Sequence, residues 1–388
     1  MMSTKISIIN INDYESIPDA IVAAIKMIEE DFHFDILNCK NILLKPNLLR
    51  ATKDACTQPV FVEGVIKYLK EIGVAMENVS IGDSPGQIKI SAEQIAKKIS
   101  LLEVCEKASI KFINFERDTP VHEVIEGALR LKDYYVSNPV NDCDLLINLP
   151  KLKTHGEATI TGAIKNYWGI IPGGLKAKYH LLGRNPDQFG EALADNFSWV
   201  FKNKPNRLVI YDLHRVMQGT MGPVSGDMKN WNLILVGTDE LALDVVALEI
   251  GELDGLKYVP HLKNAFERGL GEGNLDNIEI FGLSLEEAKS ITPKFKVPGK
   301  FMTKLASFIT RSIVYKVTKK IPKLKKKLCK KCGQCFEDCP ANAINFETDE
   351  YPEFLRKVCI SCLCCMEMCP QQAIETELRG FGGLFHSY

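Results

Sequence analysis

The 388-residue sequence predicts an α/β protein in two unequal parts: a mostly parallel, doubly wound-type sheet domain, then a small α+β module. Three observations predict it. Over residues 1–295, short runs of Ile, Leu and Val alternate with amphipathic stretches, the pattern of a parallel sheet covered on both faces. Several of those runs end in polar segments marked by Gly and Pro, where open α/β sheets carry their functional loops. Near the C-terminus, one cysteine pattern is written twice.

The predicted strands are Lys5–Ile9, Asn41–Lys45, Val79–Asp83, Leu145–Leu149, Arg207–Tyr211 and Asn232–Val236. The predicted helices between them are Ile17–Glu30, Val60–Glu71, Ser91–Lys107, Asp187–Lys202 and Leu243–Glu252. The length exceeds one ordinary core and calls for more than one unit. A hydrophobic content of 46% and a charged content of 25% are those of a globular protein. The net charge of −1 argues against a chain that binds polyanions along its whole surface. No apolar run is long enough for a membrane helix, and the first residues lack a secretory hydrophobic stretch. Of the 13 cysteines, Cys39, Cys56, Cys105 and Cys143 are scattered without metal spacing, which fits a reducing cytoplasm.

The doubled pattern is C-x2-C-x2-C-x3-C-P. It reads Cys329, Cys332, Cys335, Cys339, Pro340, and again Cys359, Cys362, Cys365, Cys369, Pro370. This is the ligand run of a bacterial-type ferredoxin with two [4Fe–4S] clusters. The first three thiolates of a run converge on one cluster, and the fourth, before proline, ligates the other. Cluster one is therefore assigned to Cys329, Cys332, Cys335 and Cys369, and cluster two to Cys359, Cys362, Cys365 and Cys339. A zinc ribbon would use two cysteine pairs instead. Cys364 breaks the loop spacing and is expected to be unligated. Residues 328–388 are thus a dicluster ferredoxin-like domain with its tail, handling single electrons and suiting an anaerobic setting.

Upstream, Leu43-Leu44-Lys45-Pro46-Asn47 brings a cation and an amide to a strand end. Ile81-Gly82-Asp83-Ser84-Pro85-Gly86 brings a carboxylate and a hydroxyl on a rigid turn. The segment Leu149-Pro150-Lys151-Leu152-Lys153-Thr154-His155-Gly156 concentrates positive charge and leads through Lys165 and Asn166 to Pro172-Gly173-Gly174. Such a crowd of titratable groups among glycines points to an anion-binding or catalytic loop. Asp239 and Asp244 stand where a helix begins, where acidic residues favour the dipole.

Together, Lys45-Pro46-Asn47, Gly82-Asp83-Ser84-Pro85-Gly86, Lys153-Thr154-His155-Gly156 and the Asp239–Asp244 stretch resemble the domain-of-unknown-function family numbered 362, often joined to a two-cluster ferredoxin. The resemblance implies an iron–sulfur protein and no agreed reaction. The stretch around His155 also looks like the active-site segment of nickel-pincer lactate racemases. There a lysine tethers the pincer cofactor, and histidines serve metal binding and proton transfer. The matching positions would be His155, Lys165, Pro172-Gly173 and His180. The chain departs from that pattern at Gly162-Ala163-Ile164, and the racemases need no ferredoxin.

Residues 296–327 form a basic connector. Phe301, Leu305, Phe308, Ile309, Ile313 and Val317 recur at helical spacing, so an amphipathic helix ending at Pro322 is expected. Its lysines would face solvent or the cluster module, dock an acidic electron partner, or meet a membrane surface; nothing marks a nucleic-acid site. The leading functional expectation is an oxidoreductase. Electrons would enter from a redox protein at the ferredoxin domain and reach a substrate or further cofactor upstream. Its catalytic candidates are His155 as proton donor, Lys153 and Lys165 as electrostatic clamps, and Asp83. Lys45, Asn47, Ser84, Lys151 and Asn166 would bind an anionic small molecule. A non-enzymatic electron carrier and a racemase-like enzyme are the other two readings.

Overall fold

The computed structural model describes residues 4–85, 90–117, 120–172, 175, 176, 179, 182, 183, 185–219, 223, 226–297, 320–337, 339, 341–359, 365, 366 and 369–378. The helix expected over Phe301–Val317 lies outside the described residues, as do Gly86, Gly173, His180, Cys362 and Cys364.

The strands of the large domain are β1 (Thr4–Asn10), β2 (Ile42–Pro46), β3 (Val79–Asp83), β4 (Lys111–Asn114), β5 (Val121–Glu123), β6 (Tyr134–Val136), β7 (Leu145–Leu149), β8 (Lys151–His155), β9 (Thr159–Thr161), β10 (Arg207–Gln218), β11 (Asp227–Gly237) and β12 (Ile278–Gly282). Its helices include α1 (Ile17–Lys26), α2 (Pro59–Glu71), α3 (Ala92–Lys98), α4 (Leu101–Ala108), α5 (Asn138–Asp142), α6 (Ala163–Asn166), α7 (Pro186–Asn203), α8 (Glu240–Ile250), α9 (Gly255–Tyr258) and α10 (Pro260–Glu267).

One mixed, mostly parallel sheet runs β12-β1-β11-β10-β7-β2-β3-β4, with β8 pairing β10 and β9 beside that path. Strands β10, β7, β2, β3 and β4 are mutually parallel. The hairpin β10–β11 and the pair β1–β11 are antiparallel. The sequence pattern misses this reversal. The eight residues between β10 and β11 are too few for the crossover a parallel pair needs, so the chain turns straight back.

Both faces of the sheet are covered, as the apolar runs require. Leu44, Ile81, Ile147, Ile210 and Ile234 meet α1 to α4 on one face. Leu43, Leu146, Val209, Leu233 and Leu235 meet α7, α8 and α10 on the other. The helix expected over Ser91–Lys107 is two. Ser100 takes a left-handed φ of 67°, and Ser91 caps the first helix with Gln94 in a capping box. Likewise α1 ends at Lys26, and a short 3-10 turn follows at Glu29–Asp31.

The small C-terminal part contains β13 (Lys320–Leu324), β14 (Ile344–Asn345), β15 (Glu353–Phe354) and β16 (Ile374–Leu378). β13 pairs antiparallel with β16, and β14 with β15. The expected helix therefore does not reach Pro322. Residues 320–324 are a strand, and a proline is tolerated there because a two-stranded sheet leaves each strand an unpaired edge.

Candidate functional site

Buried polar groups gather at the carboxyl ends of β2, β3 and β7, where an open parallel sheet carries its site. Lys45, on β2, is fully buried and pairs with Asp83, the last residue of β3, at 2.7 Å. Its ammonium also donates to the Pro46 carbonyl at 2.8 Å. Burial pushes the Lys45 pKa down, and the Asp83 carboxylate opposes that. Asp83 in turn accepts the backbone N–H groups of Leu48 at 2.7 Å and Ser84 at 2.9 Å. The backbone of Gly169 closes over this pair. A Cβ there would collide with both the carboxylate and the ammonium, so a larger residue would have to push the ion pair aside.

A chain of amides continues from the pair. Lys153 donates to the Asn47 side-chain oxygen at 2.5 Å and to the Ala55 carbonyl at 2.7 Å. The Asn47 amide donates to Asn166 at 3.0 Å, and Asn166 donates to Asn148 at 2.7 Å and to the Lys45 carbonyl at 3.3 Å. On the other side, Lys176 donates to the Ser84 carbonyl, to the Ser84 hydroxyl at 2.9 Å and to the Pro85 carbonyl at 3.0 Å. Burial brings Lys176 down to about 8. Each buried ion carries a penalty of several kcal/mol that its partners must offset, and clusters of such groups are found more often at functional sites than elsewhere.

Of the sequence candidates, Lys45, Asn47, Asp83, Ser84, Lys153 and Asn166 thus belong to one connected network. Lys151 stands apart: it is buried in an ion pair with Asp212 at 2.7 Å. The segment Lys151–His155 is not an open loop but strand β8, buried along its whole length. His155 closes that strand and is 4% exposed. Lys165 lies on α6 and is half-buried. Asn148 and Lys176 were not among the candidates. Asn148 had a visible signal, being the one amide inside the apolar run Leu145–Leu149; Lys176 had one too, as the lysine that closes Gly173-Gly174-Leu175-Lys176, and was passed over.

Asp244 anchors the other end of α6. It accepts the N–H of Ala163 at 2.7 Å, that of Ile164 at 3.0 Å and the Tyr211 hydroxyl at 2.9 Å. His261, on α10, is fully buried, and neither ring nitrogen has a hydrogen-bond partner among the described residues. Burial, with Lys165 adding to it, lowers its pKa to about 3. Replacing a buried, unbonded polar group by an apolar one of similar shape is neutral or stabilising, by up to about 1–3 kcal/mol. His261→Phe is therefore expected to raise the thermal unfolding midpoint by a few degrees. A lower midpoint would mean that His261 has a bonding partner in the working protein.

In the C-terminal part, Cys329, Cys332 and Cys335 of the first run line one cavity together with Cys369 of the second. A free thiol at Cys335 is pushed up to about 12, first by burial and then by Cys369, Cys329 and Cys332 around it. Backbone N–H groups of Lys331, Ala343 and Ala373 point at the sulfurs of Cys329, Cys339 and Cys369, at 3.4, 3.1 and 3.2 Å. Among the described residues no three His, Cys, Asp or Glu side chains converge on a single ion. A cuboidal cluster does not ask for that, since each thiolate binds a different iron. The residues present fit such a cluster: soft donors, a shared cavity and N–H groups turned toward sulfur.

Residues 42–249 match the family model described as "Domain of unknown function (DUF362)". The chain belongs to the DUF362 family. A thylakoid-associated protein of Synechocystis sp. is 32% identical to this DUF362 chain over 218 residues, which are 55% of this chain and 63% of that protein. The match thus spans less than two thirds of that relative. Among solved structures, the lactate racemase apoprotein from Thermoanaerobacterium thermosaccharolyticum is similar with a TM-score of 0.40 and 14% identity, over 62% of this chain and 55% of that one. A Thermotoga maritima protein is similar with a TM-score of 0.38 and 14% identity, over 59% and 56%. At those scores neither likeness carries an argument. No described helix of this DUF362 chain is long and apolar enough to cross a membrane.

Proposed function

We propose that this DUF362 chain is an iron–sulfur oxidoreductase whose strand-end site receives electrons through a C-terminal dicluster ferredoxin-like domain. The observation that carries the reading is the cavity where three cysteines of the first run meet Cys369 of the second, which is the crossed set a two-cluster ferredoxin uses. Cys329, Cys332, Cys335 and Cys369 would hold one cluster, and Cys359, Cys362, Cys365 and Cys339 the other. When bound, such clusters supply single electrons. A redox protein would be the donor or acceptor, in the cytoplasm.

The chain's own residues would do the rest. Lys45, Lys153 and Lys176 surround the site with positive charge, which favours an anionic small molecule and charge that develops on it. Asp83 holds the Lys45 ammonium in place and fixes the turn that carries Ser84. Asn47, Asn148 and Asn166 tie the ends of β2 and β7 to α6, so that part of the site is assembled before a ligand arrives.

One observation favours the second reading, a non-enzymatic electron carrier. The ammoniums of Lys45, Lys153 and Lys176 all bond oxygens of the protein itself. Anaerobic purification separates the two. About eight iron and eight sulfide per chain are expected, and about half of each after Cys369→Ala if one cluster is lost. Zinc, or no iron, would refute the cluster assignment. A small anion released on denaturation and identified by mass spectrometry supports the enzyme; an empty upstream domain supports the carrier. Stoichiometric nickel would return the racemase-like reading.

A further inference from the structure

The loop that follows β2 touches two regions that lie far apart in the sequence. It leaves the strand-end site at Asn47 and returns to it at Thr57. Those two residues close its base: the Asn47 N–H donates to the Thr57 hydroxyl at 2.8 Å, and the Thr57 N–H to the Asn47 carbonyl at 2.9 Å. The Thr57 hydroxyl donates onward to the carbonyl of Leu149, the last residue of β7. Within the loop, the Leu48 N–H binds Asp83, the Ala55 carbonyl accepts from Lys153, and the Cys56 thiol donates to the Arg50 carbonyl at 2.8 Å. Asp54 pairs with Arg215 of β10 at 2.7 Å. A loop tied at so many points presents its outer residues in a fixed place.

Arg50 is one of those outer residues. Its Nη2 donates to the Pro370 carbonyl at 3.3 Å, across to the C-terminal part. Pro370 follows Cys369 and lines the same cavity as Cys329, Cys332, Cys335 and Cys369. Its turn is tied to that cysteine in turn: the Ala373 N–H points at the Cys369 sulfur at 3.2 Å, and the Gln372 N–H bonds the Cys369 carbonyl at 3.1 Å. The guanidinium thus reaches the rim of the first cysteine cavity, from a loop rooted in the network of Asp83 and Lys153.

We propose that the loop from Asn47 to Thr57 is the seat on which the Cys369–Pro370 corner of the C-terminal part docks, with Arg50 as its positioning residue. The cluster assigned to Cys329, Cys332, Cys335 and Cys369 is then the one nearer the strand-end site. That second statement rests on the iron–sulfur reading; the docking does not. An arginine keeps its charge at every working pH. A fixed positive charge beside a cluster favours the reduced form, which carries one more negative charge. Arg50 therefore holds the corner in place and eases reduction of the cluster it touches.

Two measurements on the anaerobically purified full chain test this. With the photo-cross-linker p-benzoylphenylalanine in place of Gln371, the neighbour of Pro370, irradiation should join position 371 to residues 48–52 of the same chain, mapped by mass spectrometry. Absence of that link, or a link only to a second copy, overturns the docking. The other measurement is a redox titration followed by electron paramagnetic resonance. Arg50→Gln should make one cluster roughly three- to tenfold harder to reduce, tenfold being about 59 mV for one electron, and leave the other unmoved. Arg50→Lys, which keeps the charge, should recover most of the shift. In a Cys369→Ser background, where cluster two remains, Arg50→Gln should move nothing. No shift in either cluster, or a shift that persists in the Cys369→Ser chain, overturns the placement of cluster one. A chain that holds no iron refutes the underlying reading instead, and the cross-link still decides the docking.

Discussion

Asp83→Ala is expected to lower the stability of the large domain by about 3–5 kcal/mol, because it leaves the Lys45 ammonium buried with no counter-charge. Lys45 and Asp83 are 0% and 3% exposed, so water cannot take over the missing carboxylate. The same change orphans the N–H groups of Leu48 and Ser84, which hold the loops after β2 and β3. Urea titration measures the loss. The mutant should recover part of it as the pH rises into the alkaline range. The folded-state pKa of Lys45 is already lowered by burial, and without Asp83 no counter-charge holds it up. Between that lowered value and the unfolded value near 10.5 the unfolded chain binds the extra proton, so stability climbs with pH. The double variant Lys45→Met, Asp83→Leu should be far less damaged than the two single losses added together. Simple additivity would show that the pair does not act as a unit.

Much of this arrangement was legible in the chain. The six predicted strands all exist, since each is an apolar run of β-branched and aliphatic residues that buries both faces. Lys45, Asn47 and Asp83 stood out as polar residues at the ends of such runs, and the structure joins them. What the sequence hid was three-dimensional neighbourhood. Lys151 and Lys153 look alike on the chain, yet one pairs with Asp212 on β10 and the other reaches Asn47 after β2. No periodicity separates them, because the choice is made by which strand lies beside β8. The strand character of β8 itself was masked by its charges: a run of lysines reads as solvated loop until their buried partners are known. His261 was illegible for the opposite reason. A histidine with no bonded partner among the described residues leaves no spacing or motif to find.

Asp244→Ala should be about as damaging, roughly 3–6 kcal/mol, because one buried carboxylate satisfies three donors, each costly to orphan. The four-residue helix α6 begins at Gly162, which has no side chain to cap it. A Cβ at Gly162 would collide with the Asp244 carboxylate and the Tyr211 hydroxyl, so the cap arrives from α8 instead. Without it, Ala163 and Ile164 lose their acceptor, and Asn166 loses the frame that presents it to Asn47 and Asn148. Tyr211→Phe, which removes one bond of the three, should cost only about 1 kcal/mol. Burial raises the pKa of Asp244 from 3.8 to about 7, against the pull of its hydrogen bonds. The folded state therefore holds a proton that the unfolded chain has released. Its stabilising contribution is whole below about pH 4 and is lost as the pH rises toward 7. Asp244→Asn carries no such proton, so the difference in unfolding free energy between wild type and this variant should slope downward over that window. A difference that stays flat with pH would mean that Asp244 is ionised throughout, with its three donors outweighing its burial.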